Sequence, residues 1–287
     1  MPYVARITLR PVKGLDGVAV ESARVGAGGA LENDRRWRLV DADRRELVPH
    51  VVPLLAGVRS TVDLAGRSIT LWIGGDGTGA GPPARVDSFP LRPGPDGPCP
   101  WLSRTLGIGV HLEERPDGGY PDDPDAPGPT VASTASLEEV ARWFSLPPDL
   151  VRRRLGPGLE IDDCAAFWED TLACPASRPS VRGDGGDDPW GTSAPPPEPR
   201  SFVVGGTAFS AVGVRPLLDV DALDPATGRP IEHFREIFEA WRRRSARVDV
   251  DASQWGGRFR LAATTVGDGR GGEVRVGDRI VPVAHLV

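Results

Sequence analysis

Lys13 is chemically alone in this sequence. Lysine and arginine together number 34, and Lys13 is the only lysine among them. An ammonium is a compact point charge whose pKa burial can lower, whereas a guanidinium is a wide planar fork that stays charged. Lys13 lies in the run Arg10-Pro11-Val12-Lys13-Gly14, just after a predicted first strand. A second set of groups is acidic. Asp219 and Asp221 alternate in the run Leu217-Leu218-Asp219-Val220-Asp221, so an extended segment places both carboxylates on one face. Carboxylates so placed can divide acid and base work, because repulsion splits their pKa values. The same pair suits a hard cation with oxygen ligands, or a solvated strand edge. Asp122-Asp123 and Asp187-Asp188 fall in loops and read as solvating groups.

The usual metal and redox patterns are missing. Cys99, Cys164 and Cys174 are odd in number and form no CxxC pair, which argues against a disulfide framework and a structural zinc site. The histidines His50, His111, His233 and His285 are scattered and show no HExxH spacing. No metal is expected from spacing alone. Net charge is −6 without long runs of one sign, so nothing marks a nucleic-acid footprint. The apolar stretches are strand-sized, too short to span a bilayer. The N-terminal residues lack the basic-then-apolar pattern of a signal peptide, and a cytoplasmic protein is expected. A small-molecule substrate is the expected partner; the residues fix no oligomeric state.

Elements must hold these groups in place. A chain of 287 residues with 39% hydrophobic and 26% charged residues buries a core of one large or two ordinary domains. Residues 4–9 and 18–25 alternate as strands, and a charged, bulky strand ends the run 31–41. Strands follow near 58–64 and 68–73, then a short helix at 100–107 stopped by glycine, then a strand at 110–114. Residues 117–129, rich in Asp, Pro and Gly, form a linker or surface loop. Ser133 is an N-cap candidate before the apolar stripe Leu137, Val140, Ala141 and Phe144. Residues 174–200 are too poor in apolar groups to order themselves and read as an insertion. Strands resume at 201–204 and 208–214, an amphipathic helix covers 231–243, and two short strands flank a Gly-Asp turn within 272–283. The reading is a β-rich α+β protein with a few helices. Its expected divisions are a first β unit at 1–116, the linker, and a second unit at 130–287.

The motifs, taken in order, resemble the MOSC-domain family. Pro11-Val12-Lys13-Gly14 and Leu31-Glu32-Asn33-Asp34-Arg35-Arg36-Trp37 are similar to the start of its N-terminal β-barrel domain, and Trp101-Leu102-Ser103 with Leu106-Gly107 to its end. Ser133-Thr134-Ala135-Ser136-Leu137 resembles the helix that opens the MOSC barrel. Asp224-Pro225-Ala226-Thr227-Gly228 resembles its DPxTG turn, and residues 272–278 its closing hairpin. The family includes the C-terminal part of molybdenum cofactor sulfurases and the amidoxime-reducing components. The resemblance implies a molybdopterin site between the two β domains and a cysteine that serves molybdenum or carries sulfur. It also implies that Lys13 and Arg35 hold the pterin phosphate, with Ser133 and Thr134 as further candidate cofactor-binding residues. A dianionic phosphate suits a point-charge ammonium beside a bidentate guanidinium. The alternative for Arg35 is a structural ion pair with Asp34.

The sequence departs from the family where its chemistry lies. The family cysteine falls a few residues before the DP turn, and here that stretch offers Leu217 and Leu218. An alkyl side chain neither binds molybdenum nor carries a persulfide. The family's R-x-R-P-N segment is here eroded to Arg152-Arg153-Arg154-Leu155-Gly156-Pro157-Gly158. His50 stands where the family often carries arginine. Of the cysteines, Cys174 is the best candidate to fold back toward the pocket. The favoured expectation is a divergent enzyme acting on a small anionic molecule in specialised metabolism, without molybdenum–thiolate chemistry. Asp219, Asp221 and Lys13 would be catalytic, with no cofactor favoured. The alternatives are a molybdopterin protein with changed ligation and a non-catalytic ligand-binding module.

Overall fold

Val4, Ile7 and Leu9 of the first strand β1 (Tyr3–Leu9) all face the core, although the step from Val4 to Ile7 breaks strict alternation. A register shift between Val4 and Arg6 resolves it, because a bulge adds one residue and restores the facing. The computed structural model describes residues 1–26, 28–73, 86–172, 200–217, 222, 230–245 and 260–283. The chain continues through β2 (Val18–Val20), β3 (Ser22–Val25), β4 (Trp37–Val40), β5 (Val58–Asp63), β6 (Ser68–Ile73) and β7 (Val86–Pro90). Next come α1 (Cys99–Leu106) and β8 (His111–Glu114), then β9 (Val131–Ser133), α2 (Thr134–Phe144), α3 (Pro148–Leu155) and β10 (Leu159–Asp162). The remainder holds β11 (Arg200–Val204), β12 (Thr207–Pro216), α4 (Phe234–Arg244), β13 (Arg260–Gly267), β14 (Gly272–Arg275) and β15 (Ile280–Val283). The fold is β-rich α+β, as expected.

One mixed sheet of eight strands runs β15-β11-β12-β13-β9-β10-β1-β2. Only β9 and β10 in it are parallel. A three-stranded sheet, β5-β6-β7, and two pairs, β4-β8 and β14-β3, complete the framework. The large sheet crosses the expected division at 117–129, because β1 and β2 pair beside β10. The expected strand at 18–25 is two strands. The break at Glu21 sends β2 to β1 and β3 to β14. The expected closing hairpin is likewise divided: a tight turn links β14 to β15, but β14 pairs with β3 and β15 with β11. Apolar burial falls into three clusters. One includes Phe202, Phe209 and Ile161 on the large sheet, a second gathers Trp37, Leu71 and Leu102, and a third packs Leu137, Phe167 and Phe238 between helices.

Helix ends follow local chemistry. The Ser133 hydroxyl accepts the Ser136 N–H at 3.0 Å and so caps α2, as its sequence position predicts. Gly107, at φ 70°, ends α1 in the left-handed region that glycine adopts without a Cβ penalty. Helix α3 was not among the expected elements. Its signature is a proline in the first turn and Gly156 just past the end. Among the described residues no helix is long and apolar enough to cross a membrane.

A buried polar cluster lies under α2. Arg242, near the end of α4, donates to both carboxylate oxygens of Asp170 at 2.9 and 3.0 Å and stacks over Phe167 at 4.2 Å. Arg242 thus lies in the last turn of α4 and serves a structural ion pair. Glu169 beside it is fully buried, and one of its oxygens accepts the Ser133 N–H at 3.2 Å. Burial, aided by the Asp170 charge, pushes the Glu169 pKa up to about 7 from its ordinary value of 4.5. The folded protein therefore keeps a proton that the unfolded chain releases earlier. The stability this contributes is complete below the unfolded pKa and is lost as pH rises through the folded one. Thermal melting should show the wild type losing stability between about pH 5 and pH 8, and Glu169→Gln should flatten that decline.

Candidate functional site

Two turns meet at the end of β1. The Pro11–Gly14 turn docks on the start of β4, with Lys13 N–H donating to Trp37 O at 2.8 Å and Trp37 N–H to Pro11 O at 2.9 Å. Gly14 takes φ +85° with Pro49 and Val48 packed where a side chain would project. The second turn carries Asn33 and Arg35 at positive φ, 66° and 50°. It clips to the first by backbone, since Arg35 N–H donates to Arg10 O at 2.7 Å. The Asp34 carboxylate completes the clip by accepting the Arg10 N–H at 2.7 Å and the Arg35 Nε–H at 2.8 Å.

This geometry brings Lys13 and Arg35 to a shared carboxylate. Asp122 lies 3.1 Å from Lys13 Nζ through one oxygen and 3.3 Å from Arg35 Nη1 through the other. Glu46 also pairs with Lys13, at 3.0 Å. The side chains of Lys13 and Arg35 are 13% and 15% exposed, whereas that of Asp122 is 64% exposed. Burial opposes the Arg35 charge, but Asp34 and Asp122 outweigh it and leave its pKa above the ordinary value. Burial likewise works to raise the Asp122 pKa, while Arg35, Lys13 and Arg215 hold it below the usual carboxylate value. The Arg35–Asp34 ion pair weighed from the sequence is present, and Asp122 is an ion-pair bridge rather than a merely solvating loop group.

The three consecutive arginines of α3 go three ways, because successive helical residues point about 100° apart. Arg152 grips both oxygens of Glu160 on β10. Arg153 reaches Asp16, which also accepts Arg59 Nε at 2.9 Å. Arg154 lies over the Phe234 ring at 5.4 Å and is among the residues lining a cavity of about 110 Å³, with Arg10, Asp34, Arg35, Asp122 and Arg215. The carbonyl end of α3 closes one wall. Leu155 O accepts Arg215 Nη2 at 2.8 Å, and Gly156 O accepts Arg10 Nη1 at 2.9 Å. Cations at a helix C-terminus satisfy orphan carbonyls and favour the dipole. Burial lowers the Arg10 pKa, with Asp34 working against this and Arg215 and Arg35 adding to it. The described lining thus includes four arginines and two carboxylates.

The other expected residues lie elsewhere. Ser133 is fully buried in the α2 cap, where its hydroxyl also meets Ser136 Oγ at 2.7 Å. Neither Ser133 nor Thr134 lines the cavity. Asp219 and Asp221 fall outside the described residues, as do Leu218, Cys174 and the Asp224–Gly228 run. Leu217 is buried in the same apolar cluster as Phe234 and Leu261. Cys99 packs against the cluster around Leu102. Cys164, beside the large-sheet core, has its thiol pushed up to about 12 by burial and by Glu169, Asp162 and Asp163. Neither thiol lines the cavity, and among the described residues no group of three or more His, Cys, Asp or Glu is placed to hold a metal ion. His50 is exposed on its turn. Arg10 and Arg215 were missed; no local pattern marks an arginine whose partner is a helix end far along the chain.

Gly156 is the tightest point of the site. It has φ +57°, and a Cβ there would lie 2.5 Å from Arg10 Nη2. Gly156→Ala should destabilise the protein by about 1–3 kcal/mol in chemical denaturation, from backbone strain and displacement of Arg10.

Residues 1–79 match the family model described as the MOSC N-terminal beta barrel domain. No curated protein matches the chain. Among solved structures, the chain is similar to the YuaD protein from Bacillus subtilis, at 9% identity over 98% of this chain and 94% of that one. The TM-score of that likeness is 0.39, too low to bear on fold or function.

Proposed function

We propose, from the match of residues 1–79 to the MOSC N-terminal beta barrel domain, that the chain binds a small anionic organic molecule in the arginine-lined cleft. The observation that carries this reading is the convergence of Arg10, Arg35, Arg154 and Arg215 on one cavity of about 110 Å³. That space suits a single tetrahedral oxyanion group, with the rest of the ligand outside. Guanidiniums present planar donor pairs to phosphate oxygens, and a partly buried setting strengthens such contacts. Guanidinium donors in the lining suit an anionic group over a neutral one. Lys13 supports the site from beside it, sharing Asp122 with Arg35.

The same residues bear on molybdopterin, the cofactor that the family resemblance implies. They fit its phosphate, which the arginines would hold. They do not fit thiolate ligation, because Leu217 is buried in a core cluster and the described cysteines lie off the cavity. The reading therefore favours a small-molecule enzyme of specialised metabolism without molybdenum–thiolate chemistry. Asp219 and Asp221, which lie outside the described residues, are proposed for proton transfer as acid and base.

Calorimetric titration of the purified chain with inorganic phosphate tests the binding site. Arg154→Gln and Arg35→Gln should each weaken binding roughly tenfold or more, since a charge-assisted hydrogen bond contributes ~1.5–3 kcal/mol. Unchanged affinity in both variants would remove the site. Metal analysis with an assay for pterin fluorescence tests the chemistry, and stoichiometric molybdenum would replace this reading with a molybdopterin protein of altered ligation.

A further inference from the structure

We propose that residues 163–171 form a proton-controlled strap across the start of α2, closed while the Glu169 carboxyl is neutral and released when it ionises. This inference is independent of the anion-binding reading above.

The strap follows β10 and ends in the 3-10 helix Trp168–Thr171. Two serines fasten it to α2. Ser136 Oγ accepts the Phe167 N–H at 2.6 Å, and the Ser133 hydroxyl donates to Ala165 O at 3.3 Å. The Ser133 N–H reaches onward to the Glu169 carboxyl. Asp163 and Phe167 hold positive φ, 59° and 62°, without being glycine. A bulky residue rarely adopts that region, so the contacts to α2 hold the strap against its own backbone preference.

Glu169 is the weak point of the closure. It is fully buried, and its Oε1 has no hydrogen-bond partner among the described residues. Arg242 gives its Nη2 to the neighbouring Asp170. On the elements packed around the turn, Glu139 of α2 pairs with Arg142, and Arg260 of β13 donates to Val214 O. Strand β9 has no ionisable side chain, while Asp162, Asp163 and Cys164 follow β10 into the strap. A buried carboxylate without a cation is costly when charged, and contact with water removes that cost. Ionisation therefore favours release. Burial first and Asp170 second raise the Glu169 pKa to about 7, against an ordinary 4.5. Because the closed form holds the proton more tightly, closure is complete at low pH and weakens as pH rises through the closed-form value. The same linkage makes the opening constant rise about tenfold between about pH 6 and about pH 8.

Thiol labelling reads the opening. Cys164 lies in the strap beside the large-sheet core, whereas Cys99 packs against a separate cluster. The full-length chain is labelled with a maleimide across this pH range. The rate at each cysteine, resolved by peptide mass spectrometry, is divided by its rate in the denatured chain at the same pH. In wild type the Cys164 ratio should climb by up to about tenfold while the Cys99 ratio stays flat, and Glu169→Gln should hold both flat. The Glu169 charge by itself raises the Cys164 pKa and would slow labelling, so a climb reports exposure. A flat or falling Cys164 ratio in wild type would overturn the proposal, as would a climb that persists in Glu169→Gln. An equal climb at Cys99 would report global unfolding and overturn it too. If thermal melting shows that Glu169→Gln does not fold, the wild-type comparison of the two cysteines decides alone.

Discussion

The Asp34 carboxylate holds the two cation-bearing turns in register. It accepts the backbone N–H of Arg10 through one oxygen and the Arg35 side chain through the other. Because the Arg10 backbone is fixed there, its guanidinium is aimed at Gly156 O, past the end of α3. A single acid thus ties the first strand, the Arg35 turn and the second half of the chain together. Removing such a group leaves two partly buried cations without their compensation, which costs more than the contact itself contributes.

The cations in and around the cavity also serve the fold. Arg10 and Arg215 cap the carbonyl end of α3, Arg152 holds Glu160, and Arg153 joins α3 to Asp16 and, through it, to Arg59 on β5. Asp16 is further fixed by accepting the Ser60 N–H at 3.0 Å. Arg10 and Arg215, two of the cavity's cations, thus also fasten the end of β1 and β12 to the end of α3.

Much of this was legible from local pattern. Alternation located β1, β5 and β6, Ser133 announced the cap of α2, and Gly107 the stop of α1, because each signal sits within a few residues of its effect. Lys13 and Arg35 stood out by residue type and motif, and the structure joins them. What stayed hidden depended on distant partners. The three arginines from Arg152 to Arg154 look equivalent in sequence, and only the positions of Glu160, Asp16 and the cavity separate them. Asp122 resembled any loop acid until Lys13 and Arg35 arrived beside it. Strands β14 and β15 read as partners because they are adjacent, yet each found a better mate elsewhere.

The pairing of β1 with β10 has a consequence for how the protein is made. Tyr3 is in register with Asp162, and Val25 with Gly272. A ribosome releases β1 and its neighbour β2 long before β10 exists, so the second edge of β1 waits while the intervening chain is translated. Long-range pairing of this kind slows assembly and leaves an early segment open to wrong partners. An early segment is thus fully secured only when its distant partner arrives.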